Sequence, residues 1–359
     1  MLLALLVAGG CSTVPTSSPV PPPAESSTAS PSAVAPPVAS SPVLTASALA
    51  PSEVDGGVVA EPEPISVARA KELLFPTDLG ARGDLAECEA AGKAEVVIRC
   101  LLARRYASSG AAADAEASKA AIELHRLTGS VAGLLPEEHM DGGFRGALLL
   151  VPELPVGSYR RHLGWVLAAH QDFERFFEAL REASASPIRF RTRALGYRFF
   201  RSHKRTTPSA YAQGWTVAYN VVGSLNTSAS AVEETIFHEV FHLNDFDHGD
   251  WSARVLGPGY DAIVKRCGTR ASCLRPFTPT ETMVRGGTYY AFQPGNGQSV
   301  HEYGAELATR YFLEQRASMR GEALKKPPFK CGPAENRAAW EALAKEFFGG
   351  VDRTPPCAP

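Results

Sequence analysis

The chain has 359 residues, 45% of them hydrophobic, with 36 Lys and Arg set against 38 Asp and Glu. That length buries a full core in one or two domains, and the near-neutral balance provides no overall field to draw a polyanion. Nucleic acid is therefore not an expected partner.

The chain opens MLLALLVAGGCS, an apolar run too short to span a bilayer that ends in small residues before Cys11. This start resembles the lipobox of bacterial lipoproteins, in which the cysteine carries the lipid after cleavage. Ala8 stands where leucine is usual, and no Lys or Arg precedes the run. The resemblance implies a signal peptide with a lipidated cysteine over residues 1–11. It also implies membrane attachment through Cys11 and a lipid-anchored place in a bacterial cell envelope, on the periplasmic or cell-surface side. Residues 12–64 are mostly Pro, Ser, Ala, Thr and Val with hardly any aromatic residue. Such a composition cannot bury enough surface to offset its ordering entropy and predicts a disordered tether. Its span is about 40 Å as a coil and about 160 Å as polyproline II.

Six cysteines remain after Cys11. An even remainder in an exported chain points to disulfides, and the sequence-local pairs are Cys88 with Cys100, Cys267 with Cys273, and Cys331 with Cys357. A zinc cluster built from cysteines is disfavoured because no C-x-x-C occurs.

Residues 65–130 read as a small helical subdomain, with Ala-rich helical segments and breaks at Gly80, Gly83 and Gly110. Val96, Val97, Cys100 and Leu101 share one helical face. Residues 131–359 read as the second domain. Ala147 to Leu154 is a buried-strand candidate and Tyr159 to Glu182 a long helix. PIRFRTRALGYRFF alternates apolar with basic residues, and GWTVAYNVV (Gly214 to Val222) alternates Trp215, Val217, Tyr219 and Val221 with smaller or polar residues. Arg189, Arg191, Arg193, Arg198 and Arg201 read as a solvated strand face rather than a nucleic-acid surface, since no aromatic stacking platform accompanies them. Strand, helix, strand, strand and a further helix describe an α+β fold.

That further helix carries the chemistry. Ser230 and Glu233 fit a capping box that starts it at Ala231. Val232, Ile236, Val240 and Leu243 then form a core stripe, with His238 and His242 on the far side. The segment reads H-E-x-x-H from His238 to His242. At a spacing of four residues both imidazoles reach one zinc ion, and Glu239 between them is placed to take a proton from water.

Two candidates compete for third ligand. His248 ends an H-E-x-x-H-x-x-x-x-x-H run whose metzincin counterpart has a glycine where Asp245 stands. That arrangement needs a methionine turn, for which Met283 is the downstream candidate. Glu302, in VHEYGAELATRYFLEQ (Val300 to Gln315), lies sixty residues on, with Glu306 one turn later. Glu302 is preferred as ligand, with Glu306 as the carboxylate that orients a histidine ring. His301 points about 100° away from Glu302 and is a weak ligand candidate.

The segments ETIFHEVFHLND and VHEYGAELATRYF resemble the two zinc helices of gluzincin metallopeptidases, particularly the lethal-factor-like group whose second helix reads E-F/Y-x-A-E. The resemblance covers about Ala147 to Gln315. It implies a zincin-like metallopeptidase domain, a zinc cofactor held by His238, His242 and Glu302, and Glu239 as general base. In that group a tyrosine before the ligand glutamate helps to stabilise the oxyanion, which here suggests Tyr290 or its neighbour Tyr289. The expected activity is zinc-dependent hydrolysis of a peptide or protein substrate, with Trp215 to Val222 as the sheet edge on which it lies. The alternative is a non-catalytic zinc-binding envelope lipoprotein with a binding or structural role. Ala334 to Gly350 reads as a scaffold helix stopped by Gly349 and Gly350 and flanked by Cys331 and Cys357.

Overall fold

The computed structural model describes residues 62–76, 85–90, 92–107, 112–141, 146–284, 286–294 and 299–358. The signal peptide with Cys11, nearly all of the expected tether, and the breaks at Gly80, Gly83 and Gly110 lie outside the described residues.

Four helices come first: α1 (Val67–Leu74), α2 (Leu85–Glu89), α3 (Ala94–Ala107) and α4 (Ala112–Thr128). Ser66 caps α1 by accepting a hydrogen bond from the Arg69 amide at 3.1 Å, satisfying one of the first-turn donors. The Cys88–Cys100 disulfide ties α2 to α3, and α3 packs on α4.

A mixed sheet follows, built from β1 (Val131–Leu134), β2 (Glu138–Asp141), β3 (Ala147–Pro152), β4 (Gly196–Ser202), β5 (Ala210–Gln213) and β6 (Thr216–Asn220). Its order is β2-β3-β4-β6-β5. β1 pairs in parallel with the first half of β4, on the side where β3 pairs antiparallel with the second half. β4 and β6 are parallel, whereas β5 returns antiparallel to β6 and ends the sheet. The two-residue side-chain period divides the faces. Tyr197, Phe199, Val217 and Tyr219 point into the main core, while Phe200 and Ala218 join a small cluster with Leu135, Leu148 and Leu150 on the other side.

The long helix α5 (Arg160–Ala183), between β3 and β4, covers the main face. It buries Phe173, Phe176, Phe177 and Leu180, and its His162 and His170 meet the hydroxyls of Tyr219 and Tyr197 at 2.9 and 2.6 Å. Beside it lies α6 (Ala229–Asp247), reached from β6 by a short loop. Then come α7 (Gly257–Cys267), α8 (Ala271–Leu274), α9 (Ser299–Met319) and α10 (Ala334–Phe347). An aromatic stack holds the helices together. Phe237 of α6 lies flat on Phe312 of α9, with ring centres 4.4 Å apart, and meets Phe173 of α5 edge-on at 5.4 Å.

The disulfides Cys267–Cys273 and Cys331–Cys357 also form, so all three sequence-local pairs are present. Bridges of this kind form and persist in oxidising compartments outside the cytoplasm. Among the described residues no helix is long and apolar enough to cross a membrane.

Four sequence expectations need correction. The cap of α6 is Ser228, whose hydroxyl accepts from the Ala231 amide at 3.2 Å, so the helix begins at Ala229 and not behind Ser230. PIRFRTRALGYRFF is not one strand: only its part from Gly196 pairs in the sheet, and Ile188 makes an isolated bridge to Phe348. The arginines before and within β4 are held by the fold. Arg193 is bound to Glu174 at 2.9 Å, Arg189 and Arg201 lie 3.2 and 3.3 Å from Glu346 and Glu153, and Arg191 lies over the Trp215 ring at 3.9 Å. Finally, β6 is an interior strand with every residue buried, because β5 covers its outer side. The sheet edge beside α6 is therefore β5, not Trp215 to Val222.

Candidate metal centre

The site begins with two helices, α6 and α9, packed on one another. Along α6, Val232, Ile236 and Val240 are fully buried and Leu243 nearly so, which turns His238 and His242 to the open side. Asn244 fixes the helix end, accepting from the Arg191 amide at 2.7 Å and donating to the Arg191 carbonyl at 3.0 Å. Helix α9 crosses α6 at Gly304. A Cβ there would sit 2.2 Å from Oγ of Ser252, just beyond α6, and 3.0 Å from the Phe241 ring of α6, so a larger residue would force these neighbours to shift. Two residues before it, Glu302 projects toward the histidines.

A second contact pins the same crossing. Asp245, 1% exposed, receives the backbone amide of Ser252 on one oxygen at 2.6 Å. Its other oxygen lies 2.6 Å from Nδ1 of His301, the residue next to Glu302. In the sequence, Asp245 stands where a metzincin has glycine and His301 is a weak ligand candidate. The structure gives them a shared task, tying the end of α6 to the start of α9.

The outcome is a compact triangle. Nε2 of His238 lies 3.1 Å from Nε2 of His242 and 3.2 Å from Oε2 of Glu302, and the third side measures 3.7 Å. A tetrahedral ion with bonds of about 2.0–2.1 Å separates its ligand atoms by about 3.3 Å, so these three atoms fit around one such ion. Among the described residues it is the one group of three or more His, Cys, Asp or Glu able to hold a metal ion. Three protein ligands leave a coordination position open.

His248 does not join them. It caps the end of α6, with Nδ1 2.6 Å from a carboxylate oxygen of Glu346 and its ring against Phe347. Met283 is half exposed and pairs with Tyr289 in an isolated bridge. Of the two tyrosines, Tyr289 is buried in the core, whereas the ring of Tyr290 lies 6.2 Å from that of His238. Hydrogen bonds between the Tyr290 amide and the Thr282 carbonyl, and between the Thr280 hydroxyl and Glu306, fasten this loop over the site. Glu306 also faces Nδ1 of His238, 3.9 Å away, and Arg310 pairs with Glu314 rather than with either site glutamate.

The electrostatics follow from burial and this crowding. Burial alone would raise the Glu302 carboxyl, but hydrogen bonds from His238 and His242 outweigh it and hold the group far below the usual carboxylate range. Burial works against a charge on His238, yet the Glu302 bond and the nearby carboxylates of Glu239 and Glu306 push it up to about 9. Burial raises Glu239 despite the opposing pull of His238 and His242, and raises Glu306 to about 7. Glu239, 9% exposed, is thus a carboxylate held above its ordinary basicity beside the metal-ligand triangle.

Comparison of the chain with protein-family models, with curated proteins and with solved structures finds no match.

Proposed function

We propose that the chain is a zinc-dependent metallopeptidase of gluzincin type, with a zincin-like fold over residues 131–359. The observation that carries this reading is the triangle of His238, His242 and Glu302 with the buried carboxylate of Glu239 beside it. Two nitrogen donors and one carboxylate oxygen suit zinc, and an intact base next to an open position is what a purely structural site does not need. When bound, zinc would supply Lewis acidity, polarising a carbonyl and acidifying water.

The chain's own residues would do the rest. Glu239, made more basic by burial, takes the proton from the attacking water on a carboxylate oxygen and hands it to the departing amine. Tyr290, beside His238, donates its hydroxyl to the carbonyl oxygen as negative charge gathers there. Glu306 faces the rear nitrogen of His238 and steadies the ring. An extended substrate would lie along β5, which ends the sheet and packs beside α6. The three disulfides fit work outside the cytoplasm, and lipid attachment at Cys11 would place that work in a bacterial envelope.

The test is Glu239→Gln against wild type on a broad peptide library, with zinc content measured on both. The reading expects equal zinc and a loss of turnover of about 100-fold or more in the variant. Equal turnover would refute the role of Glu239. Bound zinc with no turnover in wild type would identify a non-catalytic zinc-binding envelope protein instead.

A further inference from the structure

From Ala231 to Phe246 every residue of α6 is buried except Ala231, Glu234, His238, His242 and Phe246. Spacings of three, four, four and four residues keep these side chains on one slowly turning stripe, about 40° per four-residue step. The histidines of the metal triangle stand in its middle. Phe246 continues the same line one turn beyond His242, with 76% of its surface exposed and a place in neither apolar cluster. Phe237 and Phe241, on the same helix, are fully buried.

A single exposed apolar side chain is ordinary on a protein surface. What sets Phe246 apart is its position. Between the exposed ends of α6 it extends the one open line, whose other members include the two candidate ligand histidines, and edge strand β5 packs on that helix. A chain lying over the metal triangle and along α6 must pass across this ring.

We propose that Phe246 is a specificity-determining contact, on which an extended peptide seats a bulky apolar side chain. This rests on the metallopeptidase reading and deepens it by naming a substrate class. The distance to the cut follows from helix geometry. Phe246 is six residues beyond Val240, the midpoint between the histidines, which is about 9 Å along the axis. An extended peptide advances about 3.3 Å per residue, so the apolar side chain falls two or three residues from the bond that is cleaved.

The experiment uses the zinc-loaded protein and two peptide sets that differ only in Leu, Phe or Gly at those positions. Cleavage is followed by mass spectrometry for wild type and Phe246→Ser. Binding is followed by fluorescence anisotropy of the labelled peptides on Glu239→Gln, with and without Phe246→Ser. The proposal expects wild type to prefer Phe or Leu over Gly by about tenfold, and expects that ratio to collapse toward one in Phe246→Ser. Cleavage with an unchanged ratio in Phe246→Ser would overturn the proposal and leave the peptidase reading intact. Absence of cleavage together with Phe246-dependent peptide binding would overturn the peptidase reading and keep the contact. Absence of both would overturn both.

Discussion

Metal uptake by this site should release a proton, and the structure says which one. Without metal, the buried His238 is held up to about 9 by Glu302 and the neighbouring carboxylates, so at pH 7 it is protonated. A protonated imidazole has no lone pair to give, and a ligand histidine must first become neutral. Between pH 7 and pH 9 the deprotonated fraction rises about tenfold per unit. Two units correspond to about 2.7 kcal/mol, so apparent affinity at pH 7 is about 100-fold weaker than the plateau reached above pH 9. The direction is fixed by linkage: metal binds the form with fewer protons, so affinity rises as pH rises. Titration calorimetry with zinc in two buffers of different ionisation enthalpy reads the number directly. About one proton per ion is expected at pH 7 from His238. Glu306, raised to about 7, can add a fraction, and Glu306→Gln removes that addition. Uptake with no proton released, or an affinity flat from pH 7 to 9, would refute the account of His238.

Three further outcomes are expected. Asp245→Asn weakens the contact to His301 beside Glu302, so zinc dissociation measured with a chromophoric chelator should quicken by about 10- to 100-fold; a rate equal to wild type would show that the clamp does not position the ligand. Tyr290→Phe should lower kcat by about 100-fold with KM changed less than about threefold, and an unaltered kcat would remove Tyr290 from the reaction. His170 and His162 are pushed down to about 3 and about 4, in both cases first by burial, so they stay neutral when folded while the unfolded chain takes protons below about 6.5. These two histidines should therefore cost stability as pH drops from 6.5 toward 4, about 2 kcal/mol each by pH 5, against the opposite contribution of Glu233 and Glu306, whose carboxyls burial raises to about 7. The difference in urea stability between wild type and His170→Gln isolates the histidine: it should move against wild type by about 2 kcal/mol between pH 7 and pH 5, and a constant difference would contradict it.

The parts of this fold written in local pattern were readable in the sequence. Helix α6 carries its core face in Val232, Ile236, Val240 and Leu243, and that stripe alone turns the histidines outward. Glu302 could be preferred over His248 because a second helix with two carboxylates one turn apart is a local signal. The disulfides followed from short separations of 12, 6 and 26 residues. What escaped depends on partners distant in the chain. The alternation in Trp215 to Val222 looks the same for an edge strand as for an interior one, and only β5, pairing outside it, decides the matter. Ser228 and Ser230 are both acceptable caps, and the choice rests on backbone angles that the sequence does not display. The Asp245–His301 contact spans 56 residues and has no spacing rule. An acidic residue at the end of an apolar helix was its one visible trace. Gly304 likewise reads as an ordinary helix flaw until Ser252 is found against it.

The most direct test of the metal centre is zinc content by elemental analysis of the purified folded protein, comparing wild type, Glu302→Ala and His248→Ala. The account predicts about one zinc per chain in wild type and in His248→Ala, and a large loss in Glu302→Ala. Loss confined to His248→Ala, or no zinc in wild type after loading, would contradict it.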